Sequence, residues 1–405
     1  MIGASAARLL AEEKHDFPRV TAACPYFGRC GGCSLQDLTY HDQLALKQRR
    51  LHQALAAFDP ALRPSIRPLD DPWRYRNKAE LTFSQLDGEL VLGYHAARSF
   101  WRVLDVEDCL LLPEPMVAVI RDARRLARES GAPAYNPRTH QGFFRHLTIR
   151  QSRATGQLLL CVTTTPGPGE TLQRMAEALM SRHPRLVSVW WGQRASVADL
   201  AVPETLTLLR GAACLVDRMG RFRIDVGALT FLQPTPAQAE PLYDYLLDAL
   251  PVARQGSAWD LYCGMGLVAL YLAQRFERVY GIDAAEQNIE LATRNAASNG
   301  VANVTFRLGT VEALLEDRRF WLQEAKPECV VVDPPRAGLH PRAVAGVLAA
   351  RPRSLAYLSC SVPSLVRDLQ ALLGAYPRYR IERVEAFDMF PHTAHVEVCV
   401  VLARC

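Results

Sequence analysis

The chain has 405 residues, 49% hydrophobic and 22% charged, with a formal net charge of +5. That balance excludes a disordered chain, which lacks the apolar content to fill a core, and 24 Gly with 26 Pro exclude a collagen-like one. No run of about 18 apolar residues is present, and the charged start MIGASAARLLAEEKHDF does not read as a secretory signal, so a cytoplasmic protein without a membrane span is expected.

In chain order, the first feature is a cluster of three cysteines, Cys24, Cys30 and Cys33, in CPYFGRCGGC. The other eight of the eleven cysteines are dispersed, and in a reducing compartment the set reads as metal-binding, catalytic or buried thiols rather than as disulfides. With Cys109 of VLDVEDCLLL as fourth donor, the thiolates suit an iron–sulfur cluster or Zn²⁺, and spacing alone leaves both open. The first gap of five residues does not match the C-x3-C-x2-C pattern of radical S-adenosylmethionine chemistry.

LQDLTYHDQLALKQRRLHQAL follows, with apolar residues at helical spacing. Proline-rich text at 60–72 marks a connection. Trp73-Arg74-Tyr75-Arg76-Asn77-Lys78 interleaves aromatic and basic groups, which suits single-stranded RNA and equally a half-exposed strand. AELTFSQ and GELVLGYH around Asp87–Gly88 predict a β-hairpin. A helix is expected at 114–130, a second hairpin at 146–165 and a helix at 168–182; Arg145 and His146 are open to the same RNA or structural readings. Residues 131–225 hold 12 basic against 6 acidic residues, whereas 226–405 hold 17 against 19. A basic middle segment points to a polyanionic partner or to a solvated basic face.

The character changes near 225–235. Beyond a helix at about 237–250, strands and helices alternate, which implies an α/β fold with a mostly parallel sheet. YRIERVEAFDM and HVEVCVVLAR read as a terminal hairpin on the sheet edge. Two domains are expected, 1–228 and 229–405.

The second half carries the chemistry. Trp259-Asp260-Leu261-Tyr262-Cys263-Gly264-Met265-Gly266 follows a strand and opens a helix, and its glycines let the backbone approach a ligand. Asp283 ends the next strand, where an acid accepts bonds from ribose hydroxyls. A third glycine is missing, so a nucleoside cofactor without a pyrophosphate fits better than a dinucleotide. Asp333-Pro334-Pro335-Arg336 ends the apolar strand CVVVD, and Arg336 stands where amino methyltransferases carry an aromatic residue, which argues against amino methylation. Cys360 ends SLAYLSC at the start of a helix, whose dipole favours a thiolate; an inert buried cysteine is the bland alternative. Glu397 precedes the last apolar strand, and alone could be a strand-edge surface carboxylate.

FLQPTPAQAEPLY, DLYCGMG, GID, VVDPPRAGL, YLSCS and FDMFPHTAHVEV occur in this order across 231–400. Together with the cysteine cluster they resemble the RNA uracil-C5 methyltransferases, the RumA/RlmC/TrmA group. The resemblance implies a C-terminal class I S-adenosylmethionine methyltransferase domain, Rossmann-like, behind an N-terminal α+β iron–sulfur and RNA-binding region without a TRAM domain. It implies Cys360 as nucleophile and Glu397 as base, with Gln233, Tyr262, Gly264, Asp283 and Asp333 around cofactor and target base. It also implies a [4Fe–4S] cluster on Cys24, Cys30, Cys33 and Cys109, and a monomer acting on RNA. Its motifs look closest to the RlmC branch, which makes 5-methyluridine in 23S rRNA. Methylation of the tRNA T-loop is the second expectation, and a non-catalytic RNA-binding iron–sulfur protein the third. The chemistry asks for such a pair: a thiolate adding to C6 makes uracil C5 nucleophilic, and a carboxylate then removes the C5 proton. Reaching both carbons requires the base to leave its stack.

Overall fold

The computed structural model describes residues 12–250, 256–317, 326–375 and 378–405, so most of the start read above against a secretory signal lies outside them. Helix α1 (Tyr40–Leu55) begins at Thr39, whose hydroxyl accepts the Asp42 N–H, and the LQDLT text before it is not helical. Its buried stripe runs Gln43, Lys47, Leu51, Leu55 at four-residue steps. A two-residue strand, β1 (Ile66–Arg67), follows.

One sheet holds β2 (Lys78–Leu86), β3 (Glu89–His95), β4 (Val103–Asp105), β5 (Phe144–Gln151), β6 (Leu158–Thr164), β7 (Leu186–Gln193) and β8 (Thr205–Gly211), in the order β4-β3-β2-β5-β6-β7-β8. The β2–β3 turn has positive φ at both Asp87 (50°) and Gly88 (85°), the tight turn that DG predicts. Helices α2 (Glu114–Glu129) and α3 (Glu170–Arg182) cover one face over Phe83, Phe144, Leu147 and Leu160. A hairpin, β9 (Leu215–Met219) and β10 (Phe222–Val226), leads to α4 (Pro236–Ala249).

The second sheet alternates with helices: β11 (Ser257–Leu261), α5 (Leu267–Leu272), β12 (Arg278–Asp283), α6 (Glu286–Ser298), β13 (Val304–Leu308), α7 (Val311–Glu316), β14 (Cys329–Val332), α8 (Pro341–Ala350), β15 (Ser354–Ser359), α9 (Val362–Gly374), β16 (Tyr379–Phe387) and β17 (Glu397–Arg404). Its order is β1-β16-β17-β15-β14-β11-β12-β13, parallel from β15 to β13 and antiparallel at β17. This is the α/β class I methyltransferase-like arrangement, with apolar clusters on both faces of the sheet. The strand order reverses between β11 and β14, the place where open α/β sheets bind ligands.

The terminal hairpin takes its expected place on one flank of the sheet, with a short strand added outside it. β17 lies inside the sheet, between β15 and β16, and β1 pairs in parallel with β16 to cover the outer edge. An added strand satisfies backbone groups that an edge leaves open.

Residues from the first 75 also grip the loop between β16 and β17. Lys47 and Asp388, 1% and 0% exposed, form an ion pair of 2.6 Å. Lys47 Nζ also donates to the Phe390 carbonyl, and the Tyr40 hydroxyl to Asp388. His392, in the left-handed region at φ 64°, is held by Gln43 at its N–H and at Nδ1, and by Pro72 O at Nε2. Trp73 stacks on its ring at 3.9 Å, and Ser34 and Leu35 N–H groups donate to its carbonyl. Burial is the main reason the His392 imidazole falls to about 4, so it is neutral at working pH. Asp388→Ala would strand the Lys47 charge; a stability loss of about 3–5 kcal/mol in urea is expected. Replacing both partners by apolar residues of similar size should cost much less, and a loss within about 0.5 kcal/mol in the single variant would rule out a structural role.

Candidate active site

The parallel strands deliver their carboxyl ends to one edge of the sheet, and the chemistry-bearing residues follow from that. Tyr262–Gly266 leaves β11, Asp283 ends β12, Asp333 follows β14 and Cys360 follows β15. β17 runs the other way beside β15, pairing Val398 with Ser359, and so starts at the same edge with Glu397. Thus Asp333, Cys360 and Glu397 converge although up to 64 residues separate them.

A cavity of about 400 Å³ opens over Cys360. Arg336, Ser361, Pro363, His395, Lys47 and Arg50 are among its walls. It is large enough for a heterocycle, since ligand pockets start near ~300 Å³. Burial raises the Cys360 thiol to about 11, and the Glu397 carboxylate adds to this. The Arg336 guanidinium opposes both, by charge and by a hydrogen bond to the thiol.

Glu397 is buried, with Oε1 lacking a hydrogen-bond partner. Burial raises its carboxyl far above the usual range, and Asp333 raises it further. Asp333 itself is pushed up to about 7 by burial. Two acids so placed do not ionise together, so the pair holds a proton. Asp260, on β11, is a third buried acid with neither carboxyl oxygen partnered, raised by burial and then by Asp333.

The glycine loop is braced by Asp283, which accepts Gly264 N–H (2.9 Å), Ala285 N–H (2.9 Å) and the Asn288 amide (3.0 Å). A Cβ on Gly264 would meet nothing within 4 Å, so its backbone faces open space, whereas one on Gly266 would strike Phe306 at 2.7 Å. Tyr262 takes a left-handed φ of 66° and its hydroxyl donates to Glu312. Gln233 is buried before α4, and its carbonyl accepts the Asn77 amide. Gln233, Tyr262, Gly264 and Asp283 line no wall of the Cys360 cavity, and neither do Asp333 and the buried Glu397, which lie beside it.

The cysteines gather elsewhere. Cys33 is raised to about 12 by burial, then by Cys109, Cys30 and Cys24, and burial likewise raises Cys30 and Cys109. The four thiols therefore sense one another, but among the described residues no three His, Cys, Asp or Glu side chains form a metal-holding group. No disulfide joins any two of the eleven cysteines.

Packing decides two readings that the sequence leaves open. The Trp73–Lys78 run is not an exposed RNA platform: Trp73 stacks on His392, Arg74 pairs with Asp108, Tyr75 is buried on Pro391 O and Asn77 on Gln233 O. Arg145 is likewise spent inside, donating to the carbonyls of Arg194, Ser196 and Ala198. Conversely, Arg336 and Asp260 were not singled out for the site. The unpaired polar residue inside the apolar strand SAWDL is the signal that marks Asp260.

A sequence profile described as tRNA (Uracil-5-)-methyltransferase matches residues 214–405. A protein described as an uncharacterized RNA methyltransferase, from Halalkalibacterium halodurans, is 33% identical over 95% of this chain and 83% of its own length. A similarly described protein from Nitratidesulfovibrio vulgaris is 34% identical over 98% of this chain and 86% of its own. The solved structure of Pyrococcus abyssi tRNA (uracil-54, C5)-methyltransferase with S-adenosyl-L-homocysteine superposes with a TM-score of 0.75, at 26% identity, over 94% of this chain and 86% of that one. With motifs, fold and relatives in agreement along nearly the whole length, the chain belongs to the S-adenosylmethionine-dependent RNA uracil-C5 methyltransferase family.

Proposed function

We propose that this enzyme converts uridine to 5-methyluridine in 23S rRNA, with Cys360 as nucleophile and Glu397 as base. The observation that carries the chemistry is the meeting of a thiol and a buried carboxyl with one oxygen unpartnered at one sheet edge. S-adenosylmethionine, when bound, supplies an electrophilic methyl group, and Tyr262, Gly264, Asp283 and Gln233 are the residues proposed to hold it. The Cys360 thiolate adds to C6, and the C5–C6 electron pair moves to make C5 an enolate carbon. C5 takes the methyl group as the S–CH3 bond breaks, leaving S-adenosylhomocysteine; Glu397, ionised while the pair's proton rests on Asp333, removes the C5 proton, and elimination of the thiolate restores the double bond. Arg336 favours the thiolate through its charge, and the proton held by the Asp333–Glu397 pair can serve the uracil carbonyl edge.

The assignment to 23S rRNA rests on the motif likeness to the RlmC branch. The Pyrococcus structure, a tRNA uracil-54 enzyme by its description, favours the tRNA T-loop as second reading. Labelled methyl transfer from S-adenosylmethionine to unmodified 23S transcript, and not to tRNA, is the expected result. Labelling of tRNA alone would transfer the assignment to the T-loop, and labelling of neither would return the chain to a binding role.

We also propose a [4Fe–4S] cluster on Cys24, Cys30, Cys33 and Cys109. An all-thiol donor set suits it, and the neighbouring Arg76, with Nε buried and unpartnered, faces Cys109 and Cys33 as a counter-charge. Anaerobically purified protein should contain iron and sulfide, and Cys30→Ser should lose both; stoichiometric zinc without iron would exclude the cluster. The division into 1–228 and 229–405 is kept as a proposal, with α1 and β1 as the part of the first segment that packs on the second sheet.

A further inference from the structure

The turn between β3 and β4 exposes Phe100 and Trp101, 68% and 56% accessible. Apolar side chains scattered singly on a surface need no explanation, but this pair has a basic frame. Arg98 and Arg102 are exposed on the same turn, and the Arg138 guanidinium lies 5.3 Å from the Trp101 ring centre. Arg29 is tied to the turn, its carbonyl accepting the Ala97 N–H at 2.7 Å. No ion pair joins any of these four arginines to a carboxylate among the described residues. Aromatic faces among cations without anions suit a strand whose bases stack and whose phosphates carry charge.

The turn is also placed in line with the active site. Cys30 bridges to Ala96, and Gly31 N–H donates to His95 O at 3.1 Å. Three residues on, Ser34 N–H donates to His392 O in the loop that leads to Glu397. The two anchor points are therefore at most about 11 Å apart along the chain.

We propose that the Phe100–Trp101 turn is a stacking platform for single-stranded RNA flanking the target uridine, with Arg98, Arg102 and Arg138 on its phosphates. This rests on RNA being the substrate.

The test is binding of a fluorescein-labelled single-stranded oligouridylate to the full chain, compared with the same strand in a duplex. Phe100→Ala/Trp101→Ala should weaken the single strand by about five-fold to over a hundred-fold, the range for lost base stacks, and leave the duplex nearly unchanged. Arg98→Ala/Arg102→Ala should flatten the salt dependence by up to two phosphate contacts. All four positions are exposed, so unchanged circular dichroism and melting are expected alongside. Single-strand affinity equal to wild type would overturn the platform, including where the variant loses a protein contact instead. The assay needs no turnover. Platform-dependent binding by a chain that never methylates would sink the enzymatic reading alone, and methylation with unaltered variant binding would sink the platform alone.

Discussion

Cys360→Ala is expected to lower methyl transfer by at least about 10⁴-fold, the scale on which covalent nucleophiles fail when removed. The measurement that ties this loss to covalent catalysis is trapping. RNA carrying 5-fluorouridine has no C5 proton to surrender, so wild-type enzyme should stop as a covalent complex that survives a denaturing gel. Cys360→Ala should form none. The thiol rests near 11, so at neutral pH the thiolate is a small fraction and trapping should accelerate as pH rises towards that value. Turnover that persists in Cys360→Ala would remove the residue from the mechanism. Arg336→Gln separates two effects, since loss of the guanidinium should move the pH dependence upward without abolishing the adduct.

Glu397→Gln should fail at the opposite end of the reaction. Methyl transfer proceeds, but the C5 proton stays, and the thiolate cannot be expelled. Ordinary uridine RNA should then accumulate as a methylated covalent complex, with one methyl per enzyme and steady turnover reduced by about 10²–10⁴-fold. The wild-type rate should rise with pH, because the buried carboxyl must first lose its proton, and the residual rate of Glu397→Gln should lack that limb. Rapid product release by the variant would assign proton removal to another group, with Asp333 the nearest acid in the same buried pair.

Much of this arrangement was legible in the sequence because it is periodic or local. Strand–helix alternation after residue 256 gave the parallel sheet, and the residues ending each strand gave Asp283, Asp333 and Cys360 a common edge. The added strand β1 was not legible, since it is two residues long and its partner β16 lies over 300 positions away. Arg145 could not be decided from the sequence, because an arginine in a strand reads the same whether it meets phosphate or satisfies buried carbonyls. Lys47 carried a signal that the expected elements above did not use. It is one of four lysines in the chain and sits on the four-residue apolar stripe of α1, where a charge needs a buried partner.

The Lys47–Asp388 contact spans 341 positions, and the Tyr40–Asp388 and Gln43–His392 bonds 348 and 349. Contacts of that separation make folding slow, because the intervening chain must be organised before they close. During synthesis Lys47 of α1 waits 341 positions before Asp388 is made. Glu397 follows those partners by a few residues, so the acid arrives with the loop that fixes it. A partly made chain therefore carries the thiol without the base, and competence is acquired late and in one step rather than built up along the ribosome.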